Sequence, residues 1–311
     1  MMRRLLAGAF GLFFAGLITV LANAPVPANL LLAPAATGGG GGCSQATTFL
    51  ARTSGLDTAH QTAYTSMICS MVTNGVITGS LASSTFCGSK LDRFYLLGAP
   101  DSTTALLDIC GHSSAVANGS PTFTANHGFA GVDASQTIFI DTGFNPSTAG
   151  GNWVLNGAHL AVWSLTNATS GGSGGVAIGA GASGSSQLSN IYPHYSDGNT
   201  YGDMNDAATD TGHAVSDSLG YYVSNRTGAS AVSVYKNASL LYSPNTASTS
   251  LSPVSIYLLA LHRADIGTRT GSALQIAVAH LGGALSSTDI TNIKTAVCLY
   301  SSSLSLSWSG C

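Results

Sequence analysis

At 311 residues and a net charge of −3, the chain has length for one large β domain and a smaller annex. Only 7% of residues are charged and 38 are glycine, which suits short strands and polar turns and leaves few Lys, Arg and Glu for long solvated helices. Ten scattered Lys and Arg make no phosphate-neutralising cluster, so no nucleic-acid partner is expected; all thirteen acidic residues are Asp, which excludes H-E-x-x-H metalloproteases and the Glu pair of retaining glycosidases.

The chain opens with basic Met1–Arg4, an apolar or small-residue run from Leu5 to Leu21, and Ala22-Asn23-Ala24, the pattern of a signal peptide over residues 1–24. Pro25 directly after that cut is unfavourable, and cleavage nearer Ala35 is the alternative. The reading implies an exported, extracellular or cell-surface protein that is not integral to the membrane after processing. Residues 25–45 read as a Pro/Ala/Gly-rich linker with nothing to build a core. Cys43 follows Gly38–Gly42 without a Leu three positions before it, so a lipid anchor is rejected. Six cysteines (Cys43, Cys69, Cys87, Cys110, Cys298, Cys311) permit disulfides in 15 pairings that sequence leaves open. None forms a C-x-x-C pair, which argues against a zinc or redox site.

Residues 46–115 are expected to form a mainly helical annex. Leu56, Ala59, Ala63, Met67 and Val72 fall on one stripe, widened by Tyr64, Ile68 and Met71, and Asn74-Gly75 ends it. From 116 to 300 the pattern changes to short runs rich in β-branched and aromatic residues. The clearest strands are Thr137–Ile140, Leu160–Trp163, Ile191–Tyr195, Tyr221–Val223, Val232–Tyr235 and Ser255–Leu261. Asp197-Gly198-Asn199 and Lys236–Ser239 read as hairpin turns. No helix-length segment separates the strands, so the fold class is mainly β, a two-sheet antiparallel sandwich. Ser286 and Asp289 form a capping box for one C-terminal helix with Ile290, Ile293, Ala296, Val297 and Tyr300 buried; residues 301–311 are left as a tail.

Four segments in order resemble the concanavalin A-like superfamily, in particular its laminin G-like branch. They are Phe129–Phe144 (FAGVDASQTIFIDTGF), His159–Ser164 (HLAVWS), Ala231–Leu241 (AVSVYKNASLL, with Ala238 where Gly is usual) and Ala277–Tyr300. The resemblance implies a jelly-roll sandwich over 116–300. The chain from Cys43 also resembles uncharacterised proteins of α-proteobacteria and their prophages, through Thr48–Asp57 (TFLARTSGLD) and Ile140–Asn152 (IDTGFNPSTAGGN). That group is often associated with phage tails or virions, which implies a virion location as an alternative and a homotrimer if the chain is a tail protein.

Two enzyme motifs fail on context. Gly179, Gly181 and Gly184 complete G-x-G-x-x-G, but no helix pattern follows to meet a pyrophosphate. Gly171, Ser173 and Gly175 complete G-x-S-x-G inside a low-complexity SGGSGG run. Asp197, Asn199, Asp203, Asp206 and Asp210 form the densest oxygen cluster, a candidate Ca²⁺ site through Asp197, Asn199, Asp203 and Asp206, although Tyr201 and Ala208 break an EF-hand pattern. No other cofactor is expected. Tyr192, His194, Asp197, Asn199, Tyr201 and Tyr222 are the candidate ligand-binding residues, with Tyr195 and Tyr221 nearby: carbohydrate recognition needs aromatic faces beside amides and carboxylates. Strand alternation would put Tyr192 and His194 on one face and Ile191 and Tyr195 on the other. The functional expectation is a non-enzymatic surface, secreted or virion module binding a glycan or protein partner. The alternatives are an extracellular polysaccharide-acting enzyme using Asp203 and Asp206, and a purely structural module.

Overall fold

The computed structural model describes residues 42–79, 87–169, 175–183, 186–207 and 210–311. The signal-peptide segment, the linker up to residue 41, and Gly171, Ser173 and Gly184 of the two glycine motifs lie outside the described residues. Gly41–Cys311 forms one compact unit.

The helices are α1 (Ser44–Leu50), α2 (Thr58–Thr73), α3 (Ser102–Ala105) and α4 (Ser287–Ser303). The strands begin with β1 (Leu91–Tyr95), β2 (Val116–Asn118), β3 (Thr122–Thr124), β4 (Gly128–Ala130), β5 (Phe139–Asp141) and β6 (Ala158–Ser164). They continue with β7 (Ile178–Gly181), β8 (Leu188–Ile191), β9 (Asn199–Thr200), β10 (Met204–Asp206), β11 (His213–Ala214) and β12 (Gly220–Gly228). The last are β13 (Ala231–Lys236), β14 (Ser239–Tyr242), β15 (Tyr257–Leu258), β16 (Ala260–Arg263), β17 (Gly267–Gly271) and β18 (Gln275–Gly282).

Two sheets make the sandwich. The first runs β14-β13-β12-β6-β18-β4-β3, with β1 also on β18; the second runs β10-β8-β7-β15-β5-β2, with β16 and β17 attached. One pair, β16 with β7, is parallel. It follows Leu259, whose left-handed backbone (φ 64°) separates β16 from β15, and β15 meets β7 antiparallel. Every other pairing among the described residues is antiparallel, as expected. The β13–β14 hairpin closes where predicted, with Lys236 opposite Ser239 and both Asn237 and Ala238 at positive φ (52° and 67°), a type I′ turn.

All seven residues of β6 are buried, so both faces of the first sheet's centre are covered. One face meets the second sheet, where β6 and β12 contact β8. On the other, a run of ring contacts leads from the strand into the helices. Trp163 meets Trp308 (6.4 Å), Trp308 meets Tyr300 of α4 (5.9 Å), Tyr300 meets Tyr64 of α2 (5.1 Å) and Tyr64 meets Phe49 of α1 (5.0 Å). The predicted helices explain this layer. Asp57 caps α2, Asn74 ends it, and Ala63, Tyr64, Met67, Ile68 and Met71 are its buried face; Ser286 and Asp289 form the capping box of α4.

Two boundaries differ from the sequence reading. Leu91–Tyr95, assigned to the helical annex, is a strand of the first sheet, with Phe94 opposite His280. Its partner is far along the chain and its own residues show no clean alternation, so nothing local marks it. Residues 301–311 are docked, because Trp308 is buried and Cys311 is bonded to Cys298. The other disulfides are Cys43–Cys69, tying α1 to α2, and Cys87–Cys110. Three disulfides suit an oxidising compartment. No helix among the described residues is long and apolar enough to cross a membrane.

Candidate functional site

The predicted strand Ile191–Tyr195 stops at Ile191, where β8 ends. Beyond it the chain makes a tight hairpin: Tyr192 and Tyr201 exchange backbone hydrogen bonds (3.0 and 3.1 Å), and Gly198, at φ 86°, donates to the Tyr195 carbonyl. Because the extended strand is lost, the predicted alternation of faces is lost too. Tyr192, Tyr195 and Tyr201 instead meet as a triad, with centroids 5.4, 6.4 and 5.8 Å apart and rings nearly perpendicular. Edge-to-face packing of this kind matches the positive edge of one ring to the negative face of the next. All three rings are half-buried at the surface.

Asp197, exposed at the hairpin tip, accepts hydrogen bonds from the Tyr201 hydroxyl and from the Asn199 backbone N–H (2.9 Å). A small burial cost raises the Asp197 carboxyl, but these hydrogen bonds outweigh it and hold the group below its ordinary value. The same hydrogen bond, with some burial, raises the Tyr201 hydroxyl. Gly212, at φ 72°, passes against the Tyr201 ring so closely that a Cβ there would lie 2.7 Å from it. The β9–β11 ribbon then sets exposed His213 flat on Tyr242 (5.3 Å, 11°). Tyr242 donates to Asp210 at 2.5 Å, and Asp210 also accepts from the backbone of Gly202 and Gly212. Tyr242 and His213 are additions that the sequence did not signal, since the first arrives from a distant strand.

The remaining candidates part company with this surface. Tyr222 and Tyr221 are fully buried core residues. Tyr222 donates to the Asp217 carbonyl (2.7 Å) beneath the Lys236 ammonium, and Tyr221 stacks on Trp163 (5.2 Å), so neither offers a ring face to a ligand. His194 is half-buried in the hairpin. Asp203 and Asp206 are 5% and 0% exposed. Asp206 is held by Arg226 (3.3 Å), by the Thr246 hydroxyl (2.5 Å) and by the Met204 N–H (3.3 Å). Asp203 accepts from the Asn190 amide, and burial, then the Asp206 and Asp210 charges, push its carboxyl well up. The expected calcium ligands therefore divide between the hairpin tip (Asp197, exposed, and Asn199, half-buried) and two buried carboxyls, Asp203 beside Asn190 and Asp206 paired with Arg226. Among the described residues no group of three or more His, Cys, Asp or Glu is placed to hold a metal ion.

A second concentration of titratable groups lies in the first sheet. His159 of β6 contacts the Gly283 carbonyl through Nδ1 (2.5 Å) and His280 of β18 through Nε2 (2.9 Å); the other His280 nitrogen meets the Tyr221 hydroxyl (2.7 Å). The carbonyl can only accept, which fixes the tautomers by elimination: Tyr221 donates to His280, His280 to His159, and His159 to Gly283. All four groups are satisfied with both imidazoles neutral. Burial pushes His159 down to about 4 and His280 well down. No solvent reaches this chain of bonds, which reads as a core brace joining β6, β12 and β18.

No protein-family model and no curated protein matches the sequence. Among solved structures, similarity is found to the Trypanosoma rangeli sialidase, at 14% identity and a TM-score of 0.46, covering 77% of this chain and 39% of the sialidase. It is also found to domain 4 of AbnA, a GH43 extracellular arabinanase from Geobacillus stearothermophilus, in complex with arabinotriose (17%, TM-score 0.39, 66% of this chain and 98% of that one). The receptor binding domain of botulinum neurotoxin C/D mosaic serotype is a third (12%, TM-score 0.42, 67% and 51%). The chain thus spans well under half the length of the sialidase.

Proposed function

We propose that the chain is an exported, non-enzymatic β-sandwich of the concanavalin A-like type that binds a glycan through the Tyr192, Tyr195 and Tyr201 surface and the Asp197 carboxylate. The observation that carries this reading is the triad itself: three half-buried tyrosine rings on a tight hairpin, one of them locked to an exposed carboxylate. Sugars present apolar C–H faces that stack on such rings and hydroxyls that donate to carboxylates. Preorganisation by the hairpin lowers the ordering cost of binding. The polysaccharide-hydrolase alternative rests on Asp203 and Asp206, and both are withdrawn from solvent.

Retention on a glycan array, run beside a thermal melt, tests the reading. Tyr201→Ala should weaken retention several-fold, since a stacked ring contributes on the order of 1 kcal/mol, with little change in melting. Tyr222→Ala should do the reverse and cost about 3–5 kcal/mol of stability. Retention that survives Tyr201→Ala unchanged would move the binding surface elsewhere.

A further inference from the structure

The charge around the triad is one-sided. Between Arg93 and Arg226 the sequence holds nine Asp and no Lys or Arg, so the hairpin and the β9–β11 ribbon carry no permanently charged cation. The next basic residues are already committed: Arg226 is fully buried against Asp206, and Lys236 bonds Asp217 at 2.8 Å. Asp197 and Asp210 have no ion-pair partner among the described residues. Their hydrogen bonds come from backbone N–H groups and tyrosine hydroxyls, which leave the negative charge in place.

We propose that this surface selects glycans free of carboxylate and sulfate groups, accepting neutral or amino sugars and rejecting uronates, sialosides and sulfated chains. The inference rests on the glycan-binding reading above. A sugar carboxylate or sulfate is ordinarily met by Arg, whose planar fork matches two oxygens at once. Here it would face Asp197 and Asp210 with no Lys or Arg to offset the repulsion. A neutral sugar meets no such penalty, because its hydroxyls donate to lone pairs that Asp197 still has available after the Tyr201 and Asn199 hydrogen bonds.

Native affinity electrophoresis separates these cases, with hydroxyethylcellulose and galactomannan as neutral probes and carboxymethylcellulose and polygalacturonate as anionic ones. The two cellulose derivatives share a backbone and differ in the charge of the substituent. The expected result is Tyr201-dependent retardation by a neutral polymer and at least about tenfold weaker retardation by its anionic counterpart at low salt. That gap should narrow as the Debye length falls from about 30 Å at 0.01 M to about 8 Å at 0.15 M salt. Tyr201-dependent retardation by an anionic polymer equal to that by the neutral ones at low salt overturns the selectivity and leaves the glycan reading standing. No retardation by any probe, together with an empty glycan array, defeats the glycan reading and the selectivity with it.

Discussion

The paired imidazoles of His159 and His280 make the protein's stability depend on pH with a definite sign. An unfolded histidine takes up its proton near pH 6.5, whereas folded His159 refuses it until about pH 4, and burial likewise holds His280 well below its ordinary value. A depressed folded value means that acid favours the unfolded state, so stability falls as pH drops from about 6.5 towards 4. Asp108 works in the opposite direction: burial raises its carboxyl to about 6, so it gains protons in the fold first and offsets part of that loss. Comparing wild type with His280→Gln removes the shared Asp108 contribution. Urea titrations between pH 6.5 and 4.5 should show a steeper loss of stability in wild type than in the variant. Equal slopes would mean that the histidine pair does not titrate as its burial requires. None of this was legible in the sequence, where His159 and His280 stand 121 residues apart and only the sheet brings them together.

At the scale of single elements, local chemistry was readable and distant pairing was not. The capping box at Ser286 and Asp289 and the turn at Lys236–Ser239 carry their signal within a few residues and form where expected; the α2 stripe does so at Ala63, Tyr64, Met67, Ile68 and Met71, whereas Ala59 of the expected stripe is exposed and Val72 half-buried. Strand β1 and the tyrosine triad depend on partners or chain reversals that no short window contains. The β13–β14 turn also carries a correctable strain. Type I′ geometry needs positive φ at both central positions, and Ala238 at 67° carries a Cβ into a region costing an L-residue roughly 1–2 kcal/mol. Ala238→Gly should therefore stabilise the protein, by about 0.5–1 kcal/mol once the greater freedom of glycine in the unfolded chain is subtracted. A lowered melting temperature would show instead that the Ala238 methyl contributes more by packing than it costs in strain.

Across the whole molecule, the composition foretold a mainly β protein, but it gave no hint that the last residues complete the helical layer. Trp308 lies between Trp163 and Tyr300, and its indole donates to the Asn126 carbonyl at 3.1 Å. Cys298–Cys311 closes the loop that keeps it there, with a sequence separation of 13. Replacing both cysteines by Ala should cost about 2–4 kcal/mol, measured by denaturant titration, with quenching of Trp308 altered before global unfolding. A loss near zero would mean that the indole holds the tail without the bridge.

The position of β18 has a consequence for how the chain acquires its structure. This late strand lies in the interior of the first sheet, flanked by β6 on one side and by β4 and β1 on the other. During synthesis β6 and β12 can pair as soon as they emerge, but β6 then presents an open hydrogen-bonding edge until residues 275–282 appear. Contacts of such long sequence separation close slowly and leave apolar edges exposed meanwhile. The nascent chain is thus an aggregation hazard from the emergence of β6 and β12 until β18 follows, and a product truncated before Gln275 keeps that edge for good. A holding chaperone that masks the β6 edge should raise the yield of full-length protein and do nothing to rescue the truncated one.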